Sequence, residues 1–134
     1  MTTWKASDDS LINYEIHGEP NAELPLLLLP GLLGAIETQW RNFLPLLTPY
    51  YQVIMMDLRG HGRSENRASS LVPETMVSDI SGLLDSLGVA RVHVTGYSLG
   101  GILGLMLYQS DPRRVETLFM HAAKFYWTQD ALGK

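Results

Sequence analysis

Apolar and polar side chains alternate from Leu11 to Ile16, the two-residue rhythm of a strand with one face in solvent, and Gly18-Glu19-Pro20 closes it as a turn. Leu26 to Leu29 is uniformly apolar and shut by Pro30-Gly31, as a strand covered on both faces reads. From Thr38 the spacing changes. Trp40, Phe43, Leu44 and Leu47 recur at helical intervals, with Pro45 placed to kink or split the helix. Val53 to Met56 is a second uniformly apolar strand, and it runs into Asp57-Leu58-Arg59-Gly60-His61-Gly62-Arg63-Ser64, which reads as a loop.

Pro73 suits a first helical turn, and Met76, Val77, Ile80, Leu83, Leu84 and Leu87 mark one apolar face of a helix that Gly88 ends. Val92 to Thr95 predicts a short strand. It leads directly into Gly96-Tyr97-Ser98-Leu99-Gly100-Gly101 and an apolar helix to about Gln109, which Asp111-Pro112 stops before a last strand, Val115 to Met120. After two leading strands, then, helix and strand alternate three times, the last strand being Val115 to Met120. That order predicts an α/β fold: a mainly parallel sheet of about six strands with helices on both faces, the first two strands antiparallel to the rest. The 134 residues form one domain, with no repeat, low-complexity tract or linker.

Composition narrows the function. Hydrophobic residues make up 46% and charged residues 18%, so the chain folds around a core rather than staying disordered. The net charge is −4 and the ten Lys and Arg are scattered, which argues against nucleic acid as a partner. With no cysteine, disulfides, thiolate metal sites and cysteine nucleophiles are excluded, and a reducing cytoplasm is the expected location. Met1 to Ser10 has no apolar core and does not read as a secretory signal, while Leu24 to Ile36 is too short and too broken by Pro25, Pro30, Gly31 and Gly34 to span a bilayer. No membrane association is expected. Phe125, Tyr126 and Trp127 stand out, because a solvated tail rarely carries three adjacent aromatics.

The chemistry concentrates at Gly96-Tyr97-Ser98-Leu99-Gly100, a G-x-S-x-G pattern between a predicted strand and a predicted helix. A serine in so tight a turn projects its hydroxyl off the sheet, and Gly96 and Gly100 are needed because side chains there would strike the neighbouring strand or helix. The helix begins just after Ser98, so its unpaired N–H groups face the place where an oxyanion would develop. The N–H of Leu99 is the natural first donor. The second is assigned to Leu32, in the Pro30-Gly31-Leu32-Leu33-Gly34 loop, because loops after successive parallel strands share one sheet edge. Thr95-Gly96-x-x-x-Gly100-Gly101-Ile102 also distantly resembles a dinucleotide site. Ile102 stands where that pattern needs its third glycine, however, and the turn follows a late strand.

Three motifs, Leu29-Pro30-Gly31-Leu32, Asp57 to Ser64 and Gly96 to Gly101, together resemble the N-terminal half of an α/β-hydrolase, over about Leu11 to His121. Members often carry histidine before the oxyanion glycine; this chain has Pro30. The resemblance implies an acyl-enzyme on Ser98 formed from an ester, thioester, lactone or similar small-molecule carbonyl, its oxyanion held by Leu32 and Leu99, with no cofactor or metal. Serine at the elbow argues against the dehalogenase and epoxide-hydrolase relatives, which use aspartate there, but it leaves carbon-carbon hydrolases, lyase-like members and acyltransferases open.

In that family an acid and then a histidine follow the serine on later loops. Only 36 residues follow Ser98 here, and a helix and one strand use most of them, so the triad acid, the histidine and the cap are expected to be missing and the isolated chain inactive. Among the local histidines, His17 and His61 read as loop residues and His93 as a packed strand residue. His121, ending the last strand on the catalytic edge, is the best substitute base. Asp57 reads as a residue that holds its own loop. The alternative to an enzyme fragment is a non-catalytic α/β module that associates through its open sheet edge. In either case self-association through Val115 to Trp127 is expected, because the last strand has no neighbour.

Overall fold

A computed structural model describes residues 2–123; the aromatic cluster Phe125, Tyr126 and Trp127 lies outside the described residues. Six strands form one sheet: β1 (Thr2–Lys5), β2 (Leu11–His17), β3 (Leu26–Leu29), β4 (Val53–Met56), β5 (Val92–Tyr97) and β6 (Val115–His121), in the spatial order β1-β2-β4-β3-β5-β6. β3, β4, β5 and β6 are mutually parallel, and β2 runs antiparallel to β4. Of the two strands expected to run antiparallel to the rest, Leu11–His17 (β2) does so, whereas Leu26–Leu29 (β3) is parallel to β4 and β5. The sequence pattern did not single out β1, which pairs antiparallel with β2 and so points the same way as the parallel strands, leaving β2 alone reversed. A tight turn sets this direction: the Ala6 N–H donates to the Ser10 carbonyl, and Asp9 sits at φ 70°.

The two uniformly apolar strands are buried at every position, as their sequence requires. Alternate residues serve different layers. Leu27, Leu29, Ile54, Met56, Val92 and Val94 pack with α2 (Pro73–Ser86) and α3 (Leu99–Ser110), whereas Leu26, Leu28, Val53 and Met55 pack with Ile36 and Trp40 on the opposite face. Each fully buried Leu contributes about 1.5–3 kcal/mol of transfer free energy. Helices therefore cover both faces.

The helical stretch after β3 is not one helix. It divides into a π-helical turn (Ile36–Trp40), a 3-10 turn (Arg41–Phe43) and the short α1 (Leu44–Leu47), with Pro45 in the first turn of the last piece. Pro45 has no N–H to donate backwards, so a new helix starts where an old one would otherwise continue. Arg41 fastens this stretch to the sheet by two hydrogen bonds to the Glu15 carboxylate, at 2.6 and 2.7 Å, and it also pairs with Glu37. α2 ends in a Schellman motif: Gly88 takes φ 70°, and the N–H groups of Gly88 and Val89 donate to the carbonyls of Asp85 and Leu84. Among the described residues no helix is long and apolar enough to cross a membrane.

The winding order decides where a site can form. After β3 the chain passes on one face to β4, and after β4 it crosses on the other face, through α2, to β5 on the far side of β3. The connections leaving β3 and β5 therefore depart to opposite faces, and a crevice opens between the ends of those two adjacent strands.

Candidate active site

Ser98 stands at the end of β5 with φ 53° and ψ −116°, a conformation that L residues rarely adopt and that costs of order 1–3 kcal/mol. Its surroundings enforce that conformation. The Ser98 N–H donates to the His121 carbonyl at 2.7 Å, and its own carbonyl accepts from Gly101 and Ile102 at 3.0 and 3.3 Å as α3 begins. A Cβ on Gly96 would lie 2.3 Å from the Gly100 carbonyl carbon, and one on Gly100 would lie 2.4 Å from the Leu29 oxygen. Backbone contacts leave no room for a side chain at either elbow glycine.

The loop after β3 closes on the same point. A Cβ on Gly31 would come within 3.1 Å of the Ser98 Cβ, so Gly31 and Ser98 are immediate neighbours across the two strand ends. Gly31 and Gly34 close a turn in which the Gly34 N–H donates to the Gly31 carbonyl at 2.9 Å, and Leu33 within it takes φ 62°. Leu32, Ser98 and Leu99 line one cavity of about 390 Å³ with Leu71, Pro73, Met76, Ile102 and Ala122. Its walls are mainly apolar side chains. Among the described residues neither the Leu32 nor the Leu99 N–H has a hydrogen-bond partner. An oxygen acquiring negative charge beside two such uncommitted donors gains more in an apolar pocket than it would in water.

The histidines lie elsewhere. His17 ends β2 rather than occupying a loop; it sits at the opposite end of the sheet, bound to Glu15 at 2.7 Å. His93 is only half-buried, near the start of its strand, where Nδ1 meets the Thr117 hydroxyl at 2.8 Å and the ring lies edge-on to Tyr51. His61 Nδ1 bonds the Arg59 carbonyl at 2.9 Å inside its buried loop. His121 does lie at the edge that carries Ser98, but its ring rests on Tyr97 and lines a second cavity with Gln39, Trp40, Phe43, Thr95 and Phe119. No histidine among the described residues shares the cavity of Ser98.

Asp57 holds its own loop by accepting from the Arg63 N–H at 3.1 Å, and it does more than that. Its carboxylate also accepts from the Asn13 side-chain amide and from the Ile36 N–H, each at 2.9 Å, so it fixes the far end of the loop after β3. Asp57 is nearly fully buried and does not line the cavity of Ser98. Next to it Arg59, 2% exposed, forms a bidentate pair with Asp79 at 2.9 Å and reaches Asp8 at 2.5 Å and Ser10 at 3.0 Å. The hydrogen bond from Arg59 holds the Asp8 carboxyl well below the usual carboxylate range. Sequence reasoning missed both this cluster and Gln39, whose side-chain oxygen accepts the Gly31 N–H at 2.6 Å.

A family model described as the alpha/beta hydrolase fold matches residues 25–133. The chain belongs to that family. Curated relatives include proteins named "Putative carbamate hydrolase RutD", 34% identical over 108 residues in Stutzerimonas stutzeri and 37% over 110 residues in Azorhizobium caulinodans. These matches take in 80% and 82% of this chain but only 41% and 40% of those proteins. The chain thus spans about two fifths of the length of its curated relatives. Among solved structures, a hydrolase from Pseudomonas aeruginosa superposes with TM-score 0.85 at 33% identity, over 95% of this chain and 47% of that one. The enol-lactonase from Burkholderia xenovorans LB400 gives 0.76 at 30% identity, over 86% and 44%.

Proposed function

We propose that this chain provides the nucleophile and the oxyanion-binding part of a serine hydrolase. Ser98 Oγ would lose its proton to a general base and attack a substrate carbonyl carbon, and the resulting oxyanion would be held by the N–H groups of Leu32 and Leu99. Collapse would expel the leaving group with a proton and leave an acyl-enzyme, which water then hydrolyses. One observation carries the reading: a serine held at positive φ shares an apolar cavity with Leu32 and Leu99, whose N–H groups have no partner among the described residues.

The substrate class is an ester, thioester, lactone or related acyl compound. The names of a carbamate hydrolase and an enol-lactonase among the relatives support acyl chemistry, and the apolar lining favours a small apolar acyl group. The general base comes from outside residues 2–123, so those residues alone are expected to be inactive. A fluorophosphonate probe tests the assignment. Labelling of the full gene product at Ser98, lost in Ser98→Ala, is expected; equal labelling of both proteins, or of neither, sinks it. The cytoplasm is the proposed location.

A second, non-catalytic reading is association of two copies through β6. β6 lies at the sheet edge among the described residues, and on its uncovered face Phe119 is 62% exposed beside Thr117 and His121. Light scattering across a concentration series tests it: a growing apparent mass supports association, and a constant monomer mass ends it.

A further inference from the structure

We infer that Gln39 is a positioning residue that sets the oxyanion loop against Ser98. The inference rests on the proposed role of Ser98 and adds the part that holds one donor in place. Gln39 is the fourth residue of the π-helical turn Ile36–Trp40, and its Oε1 accepts the Gly31 N–H at 2.6 Å. Gly31 is packed directly on Ser98, and Leu32 follows it in the chain. With the Gly31 amide bound to Gln39 and the Gly31 carbonyl bound to the Gly34 amide, the Leu32 N–H is the next donor along the loop, and it has no partner among the described residues.

Two further features show that the place for this side chain is built in. A Cβ on Gly34 would lie 2.2 Å from both Cδ and Nε2 of Gln39 and 2.3 Å from Oε1, so the space left by Gly34 is the space the amide occupies. At its other end the loop is fastened by the Ile36 N–H to the buried Asp57 carboxylate at 2.9 Å. The segment from Gly31 to Ile36 is therefore held by side chains at three points. The Asp57 carboxylate and the Thr38 hydroxyl, which accepts the Ala35 N–H at 3.1 Å, fasten its far end; Gln39 alone binds the end that carries Leu32.

A loop fixed in this way offers its donor without reorganisation when charge develops on the substrate oxygen, and freeing the loop should weaken transition-state binding more than ground-state binding. The test uses the full gene product with p-nitrophenyl butyrate and the variants Gln39→Met, which keeps the size of the side chain and removes the acceptor, and Gly34→Ala, which evicts the amide. Either variant should lower kcat by about ten-fold with KM within about two-fold, less than the ~100-fold loss typical of deleting a donor outright. The double variant should be no slower than the worse single one, because both changes remove the same contact. Full kcat in Gln39→Met, or a raised KM with kcat unchanged, overturns the role of Gln39 while leaving Ser98 in place. Activity that survives Ser98→Ala overturns the underlying reading instead, and the melting temperature shows that each variant is folded.

Discussion

Two glycine-containing loops leave the same edge of the sheet, and their polar atoms are used in opposite ways. In the Asp57 to Ser64 loop most polar groups are committed, the buried His61 Nε2 being an exception: Asp57 accepts three hydrogen bonds, Arg59 is clasped by Asp79, Asp8 and Ser10, and the Ser64 hydroxyl donates to the Asp57 carbonyl while accepting the Asn13 N–H. At the Ser98 elbow the backbone is strained and two nearby amides have no partner among the described residues. The first loop stabilises the fold. The second draws on that stability to keep donors available, which is the expected division where a site depends on local strain.

Substitutions should separate the two regions. The largest expected effect is on activity: in the full gene product Ser98→Ala should abolish turnover, on the order of a million-fold in kcat, while moving stability by less than about 0.5 kcal/mol. In the other loop Arg59→Leu should have a large structural effect, costing about 3–5 kcal/mol in urea unfolding, because it leaves the Asp79 carboxylate buried without its partner. A loss under 1 kcal/mol there would show that the clasp is incidental. Asp57→Ala should cost on the order of 3 kcal/mol by stranding the amides of Asn13, Ile36 and Arg63.

Ser98→Gly should behave in the reverse manner. Glycine tolerates φ 53°, so the variant is expected to gain about 1 kcal/mol in thermal or urea unfolding while losing all probe labelling. No gain would mean that the elbow stores no strain. The smallest effect is expected in acid. Hydrogen bonds from the Arg41 guanidinium hold the Glu15 carboxyl at about 2, below its ordinary 4.5. The folded form thus keeps its proton off more readily than the unfolded one, and the stability this lends is complete above pH 4.5 and lost as pH falls from 4.5 towards 2. Arg41→Met should flatten that part of the stability profile; an unchanged acid limb would rule the pair out as its source.

What the sequence allowed to be read was local. The elbow is contiguous from Gly96 to Gly101, β3 and β4 are short apolar runs bounded by turn signals, and the breaking effect of Pro45 depends only on its own ring. What escaped depends on pairing across distance. Arg59 finds Asp79 20 positions away and Asp8 51 positions away, and nothing in the pattern of charges singles out those two carboxylates from the other acidic residues. Gln39 was hidden for a related reason: a polar residue on a helix reads as solvent-facing until the chain has folded back over it. β1 is four residues of mixed polarity, and its direction is decided by a turn stabilised through backbone contacts.

In the proposed mechanism Leu32 and Leu99 act through main-chain N–H groups, so the chemistry at the crevice between β3 and β5 would depend little on which side chains they carry. The opposite wall of the cavity is different: Leu71, Pro73 and Met76 come from α2 and the segment leading into it, which neither positions Ser98 nor supplies a donor. On that proposal the wall facing the acyl group could be remodelled residue by residue while the geometry at Ser98 is kept, so one scaffold would serve many acyl groups without a new catalytic step.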